Sequence, residues 1–253
     1  MHAKDFEDLY ETEEKMWWFA GMREISAALL DEHCRRDFEN VLDIGCGTGI
    51  NLEWLRRYGD SASIKGLDYE AVALRFCRAR GTNQLVQASA TDLPFPAEHF
   101  DLVTSFDVLV QIPGEKMDER AIAEMHRVLK PGGIAFVRAA AYQWMFSGHD
   151  RAVKTQRRYN LSELSQKLEA AGFAILRKTY ANTLMFPAAV FRRQVLKRIG
   201  LADSGSDVKP FPPSLEWLNR TLTRAMNWEA RYLKNGKKSL PFGLSAVCVA
   251  RKA

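Results

Sequence analysis

The chain has 253 residues, 47% of them hydrophobic, with a formal net charge of +5. That is enough apolar material for a full core in one elaborated domain, and it excludes an intrinsically disordered chain. No run of about 18 apolar residues occurs, so no membrane-spanning helix is predicted. The first residues carry Asp5, Glu7, Asp8, Glu11, Glu13 and Glu14, too acidic for a secretory signal, so a soluble, cytoplasmic protein is expected. Cys34, Cys46, Cys77 and Cys248 are scattered without C-x-x-C pairing, which predicts free thiols and no metal site.

In chain order, an aromatic run, Met16-Trp17-Trp18-Phe19-Ala20-Gly21-Met22-Arg23, precedes the first predicted strand and reads as a helix stapled to the core. Residues 41–45 form that strand and run into Gly45-Cys46-Gly47-Thr48-Gly49, a tight turn into a helix over 50–58. A dinucleotide loop, G-x-G-x-x-G, would need glycine at position 50, where this chain has Ile50. Further strands are predicted at 63–67, 84–87, 102–106, 134–138, 173–180 and 244–250, with helices over 70–80, 116–129 and 161–171. The helix over 116–129 should stop at Lys130-Pro131-Gly132-Gly133, where proline and glycine disfavour continuation. Strands alternating with helices predict an α/β fold with a doubly wound parallel sheet.

Between the sixth and seventh strands lies an insertion, 181–243, with helical stretches at about 184–199 and 214–234 and a Gly/Ser/Asp/Pro-rich linker from Asp203 to Pro213. Leu215, Leu218, Leu222, Ala225, Met226, Tyr232 and Leu233 recur at helical spacing, so one face of the second stretch is apolar: a packing face, a substrate cap or an interface. The insertion carries eleven cations against four acids, so it holds the positive charge of the chain. That charge suits an anionic or carrier-tethered small-molecule acceptor, or peripheral contact with a membrane surface. No segment marks a nucleic-acid substrate, and none is expected.

The residues Asp43-x-Gly45-x-Gly47-x-Gly49 resemble motif I of the class I S-adenosylmethionine-dependent methyltransferases of the type 11 kind. Four later segments are similar to that family in order. Asp68 closes the second strand, 25 positions after Asp43. Ala88-Ser89-Ala90-Thr91-Asp92-Leu93-Pro94-Phe95 is similar to the adenine-framing segment, with Ser89 at the usual Asp position. Phe100 to Leu109 looks like motif IV, although Val110 and Gln111 stand where many relatives have an acid and a histidine. Glu124 to Gly133 resembles the helix before strand five. The resemblance implies a Rossmann-like seven-stranded sheet with its last strand antiparallel, and S-adenosylmethionine at the carboxyl ends of the strands. By the same resemblance Asp43, Gly45, Gly47, Asp68, Ser89, Ala90 and Asp107 are carried over as cofactor contacts.

Trp17-Trp18-Phe19-x-x-x-Arg23 resembles an entry segment of a subset of these enzymes, whose N-terminal helices close over the cofactor. This implies a lid over 1–37, a core over 38–180 and 244–253, and Trp18 and Arg23 as cofactor contacts, Arg23 through the carboxylate. Methyl transfer to oxygen needs a base, whereas a neutral amine does not. His149, in the loop after strand five, is the candidate base, with Tyr159 of Arg157-Arg158-Tyr159 behind it. O-methylation is expected first, then N- or C-methylation; a non-catalytic cofactor-binding regulatory module is the opposing class.

Overall fold

A computed structural model describes residues 3–193, 211–236 and 238–253. It has seven strands, β1 (Val41–Ile44), β2 (Ile64–Asp68), β3 (Leu85–Gln87), β4 (Phe100–Phe106), β5 (Leu129–Ala140), β6 (Phe173–Ala181) and β7 (Ser245–Lys252). They form one sheet in the order β3-β2-β1-β4-β5-β7-β6. β7 runs antiparallel to both β5 and β6, and the β1, β2, β3, β4 and β5 pairings are parallel. The expected topology is therefore present.

Alternate residues on the central strands feed two cores. Leu42, Ile44, Val103, Ala135 and Val137 face one, with α5 (Met117–Val128) and α7 (Leu161–Ala170). Val41, Leu102, Ile134 and Phe136 face the other, with α2 (Trp17–Leu30) and α9 (Glu216–Leu233). Both faces of the sheet are thus covered, as a buried parallel sheet requires.

Two boundaries moved. β5 begins at Leu129, not after Gly133, because Leu129 pairs with Phe100 before the register shifts to Leu102 opposite Ile134; Pro131 and the glycines are taken up in that irregularity. The first loop helix, α3 (Ile50–Leu55), is one turn shorter than predicted. The linker from Asp203, up to 210, and the end of the helical stretch at 184–199 lie outside the described residues, where α8 covers Phe186–Phe191.

The N-terminal elements, α1 (Ala3–Thr12) and α2, sit against the sheet's glycine-loop end. α9 lies along α2 so closely that a Cβ on Gly21 would overlap the Met226 side chain. Asn219 of α9 accepts from Trp17 N–H (2.8 Å) and donates to the Lys15 carbonyl (2.9 Å), pinning the turn between α1 and α2. Buried Glu229 accepts from the Asn182 and Thr183 amides (2.6 and 2.9 Å), so α9 also caps the end of β6. Among the described residues no helix is long and apolar enough to cross a membrane.

Candidate functional site

β1 ends under the glycine loop, whose Gly45, Gly47 and Gly49 all have positive φ (+71°, +55° and +95°). Side chains other than glycine rarely adopt this region, so three such residues in five explain why the turn is written in glycine. The amides of Gly45 and Cys46 both donate to the Leu67 carbonyl (2.7 and 2.9 Å), folding the loop against the end of β2. Asp68 completes that end. Its Oδ2 accepts from Gly47 N–H and its Oδ1 from Glu70 N–H, both at 2.9 Å. The carboxylate is thereby oriented by backbone, with acceptor capacity left on each oxygen. Burial raises its pKa, opposed by those two amides.

Asp43 is fully buried in β1. Thr104 Oγ1 donates to its Oδ1 (2.7 Å), while Oδ2 has no hydrogen-bond partner. Burial pushes this carboxyl up to about 7.

A cavity of about 150 Å³ opens above the loop. Trp18, Arg23, Gly45, Gly47 and Asp107 all line it, so five of the expected contacts converge from three distant parts of the chain. Glu13, Thr48 and Arg138 line it too, and none of these was singled out from the sequence. Glu13, buried between α1 and α2, accepts from the Thr48 hydroxyl and from Arg80 (3.0 Å). Burial pushes its carboxyl up to about 7, against the pull of Thr48 and Arg80. Arg23 reaches the Glu13 carbonyl (3.3 Å). Arg138 donates to one oxygen of Asp107 from Nε (2.8 Å) and from its terminal nitrogen (2.7 Å). Its guanidinium lies 5.2 Å from the centre of the Trp18 ring and 5.1 Å from that of Phe106. This stacking, with the ion pair, holds a strained Asp107 (φ +60°) at the cavity wall.

Arg138 had a faint signal, a single cation within the apolar strand Ile134–Ala140. Glu13 had none, because its partners Thr48 and Arg80 are 35 and 67 positions away.

Ser89 and Ala90 are placed beside Asp68 rather than in the cavity: Ala88 N–H donates to the Asp68 carbonyl (3.1 Å). Ser89 Oγ is spent within its own turn, on Thr91 N–H (3.2 Å) and the Thr91 hydroxyl (2.7 Å). His149 lies half-buried in α6 (Gly148–Ala152), a turn fixed by Ser147 and Asp150; Arg158 in turn donates to Asp150 (2.7 Å). It does not line the cavity. Tyr159 corrects the expectation for it. Its ring is fully buried in the core on the α5–α7 face, and its hydroxyl donates to Asp118 (2.7 Å). Burial first, and that bond second, raise its pKa, so it stays a phenol and accepts no proton from a substrate.

Beyond the carboxyl ends of β5 and β6, aromatic rings collect. Tyr142 stacks on Tyr180 (5.0 Å, 21°) and meets Phe186 (5.5 Å) and Trp144 (5.6 Å), while Phe186 reaches Phe242 (5.4 Å). Trp144 and Phe242 are 52% and 41% exposed, so this wall is open on its outer side.

The glycine loop, its acid and the sheet order together match known proteins. A methyltransferase-domain family model matches residues 42–137. The chain is 31% identical over 192 residues to malonyl-[acyl-carrier protein] O-methyltransferase of Salmonella typhimurium, a match covering 72% of each chain. The chain belongs to the class I S-adenosylmethionine-dependent methyltransferases. S-adenosylmethionine is the cofactor of this family. Fatty-acid O-methyltransferase of Mycolicibacterium smegmatis is 32% identical over 147 residues, covering 57% of this chain and 51% of that one. Of other curated relatives, this one among them, the chain spans about half the length. Among solved structures, an S-adenosylmethionine-dependent methyltransferase from Mesorhizobium loti superimposes with a TM-score of 0.56 at 17% identity, covering 88% of this chain and 95% of that one; it shows the methyltransferase fold.

Proposed function

We propose that this methyltransferase moves a methyl group from S-adenosylmethionine to oxygen on a small-molecule acceptor that is anionic or carrier-tethered. The observation that carries the reading is the single cavity shared by the glycine loop, Arg23, Glu13 and the Asp107–Arg138 pair. Its residues fit the cofactor. Gly47 leaves space that a side chain would fill, with only Leu9 Cδ2 as near as 4.0 Å to an added Cβ. In the cavity, Arg23 is a cation for the cofactor's carboxylate and Glu13 a buried acid for its ammonium; Asp43 does not line the cavity, but beneath the loop it keeps one carboxylate oxygen without a partner. Asp68 retains lone pairs for both ribose hydroxyls, and Ser89 and Ala90 lie beside it for the adenine. A cavity this small is below the usual range for a whole ligand, so the adenosine end extends beyond it toward Asp68 and exposed Tyr69.

When bound, S-adenosylmethionine supplies a methyl group on a positively charged sulfur, which leaves as a neutral thioether. The chain's part is to align the acceptor, exclude water and take one proton when the nucleophile is a hydroxyl or an acid. The aromatic wall of Tyr142, Trp144, Phe186 and Phe242 supports an acceptor with an apolar part, and the excess positive charge of 181–243 supports an anionic one. His149, on a turn locked by Asp150 and Arg158, is the proposed base. The helices before residue 37 act as the lid, and the part of 181–243 that carries Phe186 and Phe242 of the aromatic wall as the cap on the acceptor side, while α9 packs on α2.

Two measurements test this. Calorimetric titration with S-adenosylhomocysteine should show binding that Gly47→Val removes. Screening free and carrier-bound carboxylic acids, hydroxylated metabolites and amines for release of S-adenosylhomocysteine should then find an oxygen acceptor. Turnover confined to amines would overturn the oxygen assignment while leaving cofactor binding intact.

A further inference from the structure

The reading above uses the inner face of α9, which buries Met226, Ala230 and Leu233 against α2. Its outer face is of a different kind. Trp217 and Trp228 are each 63% exposed, and eleven positions are close to three helical turns, so both indoles point the same way about 16 Å apart. Arg220, Thr221, Arg224 and Arg231 are exposed at the intervening spacings of three and four, and Lys234 follows. The only exposed acid on this helix is Glu216, which pairs with Arg220 (3.3 Å) where both side chains are largely in water, an arrangement worth little.

We propose that this outward stripe of α9 docks the protein on an anionic lipid bilayer. Indoles are suited to the bilayer interface, where the ring enters the boundary and its N–H stays hydrated, and arginines beside them meet lipid phosphates. Four cations against one acid complement a negative surface. Nucleic acid is a poorer partner, because Tyr232 stacks beside Trp228 (6.4 Å, 27°) and the cleft flanked by Arg231 and Lys234 also carries the acids Glu24 and Asp31. Docking here is independent of which acceptor is methylated, because no residue of the stripe lines the cofactor cavity.

The test is co-sedimentation of the full chain with vesicles of phosphatidylcholine alone or with roughly 30 mol% phosphatidylglycerol, at low and high salt. Binding is expected on the anionic vesicles only, falling as salt rises. Trp217→Ala/Trp228→Ala should weaken it about tenfold or more, and Arg224→Gln/Arg231→Gln should abolish the preference for phosphatidylglycerol, with affinity for S-adenosylhomocysteine unchanged in both. Should the tryptophan pair fail to fold in a thermal melt, the arginine pair decides. The proposal is overturned if the wild-type chain ignores anionic vesicles, if both variants bind them as well as it does, if an RNA oligonucleotide outcompetes the vesicles, or if the same variants instead dissolve a concentration-dependent dimer.

Discussion

The two sides of the proposed reaction are built from different interactions. Around the glycine loop, main-chain amides set the geometry: Leu67 receives two of them, and Asp68 receives two more. Beyond β5 and β6 the walls are rings packed on rings, with Trp144 and Phe242 half open to solvent. A site made of backbone hydrogen bonds serves one invariant ligand, because displacing any donor costs the whole constellation. A site made of aromatic contacts tolerates changes of acceptor shape, because stacking surfaces are less directional.

The largest effect should come from the acceptor side and separate the proposed base, His149, from the core-buried Tyr159. His149→Ala is expected to lower turnover by roughly 10²–10⁴-fold with cofactor affinity unchanged, since a positioned base acts on the chemical step alone. Tyr159→Phe should do the reverse, sparing turnover but costing about 1–2 kcal/mol of stability, because buried Asp118 loses a donor. Steady-state kinetics with a thermal melt on both variants gives the contrast; equal losses of turnover would break it.

On the donor side, Gly47→Val should reduce cofactor affinity by about a hundredfold, since the added side chain both strains a φ of +55° and fills the cavity. Gly45→Ala is expected to act on stability instead, because its Cβ would overlap Val108 Cγ2. Asp68→Ala is smaller still at about 1.5–3 kcal/mol of cofactor affinity, the value of charge-assisted bonds to the ribose. Retained affinity in Asp68→Ala by calorimetry would move the ribose elsewhere.

The same contrast explains what the sequence made legible. Positive φ favours glycine, a buried parallel strand requires an apolar run, and a strand-end acid stands at a fixed distance along a βα unit. Gly45, Gly47, Asp43 and Asp68 could therefore be named as candidates from spacing and resemblance, as could the seven-stranded sheet with its last strand antiparallel. Glu13 and Arg80 meet across a fold that brings distant turns together, with no local pattern to mark either. Tyr159 misled because a tyrosine behind two arginines looks the same whether it faces a substrate or Asp118. Pro131 misled in the opposite direction: a strand can absorb proline and glycine where its register already shifts.

A pH dependence should distinguish the two buried acids, Glu13 and Asp43, from ordinary carboxylates. Glu13 and Asp43 are both pushed up to about 7 by burial. An acid with a raised folded pKa contributes stability that is fully present below its unfolded value, near 4, and is lost as pH rises through 7. The ligand-free protein should therefore lose a few kcal/mol at most between about pH 4.5 and 7.5, and Glu13→Gln should flatten part of that slope in denaturant titrations. Asp68 and Glu229, also raised by burial, add to the slope with the same sign, so Glu13→Gln isolates the Glu13 share; Asp118, Glu124 and Asp150, held below their usual range, bear on a lower window. Cofactor affinity should move the other way. A cationic ammonium favours the ionised acids, so binding should tighten by up to about tenfold per acid from pH 6 to 8 and release protons, detectable as a buffer-dependent heat. Affinity that is flat across this range, in wild type and Glu13→Gln alike, would mean that neither acid meets the ammonium, leaving the cofactor's amino acid end to Arg23 and the loop amides.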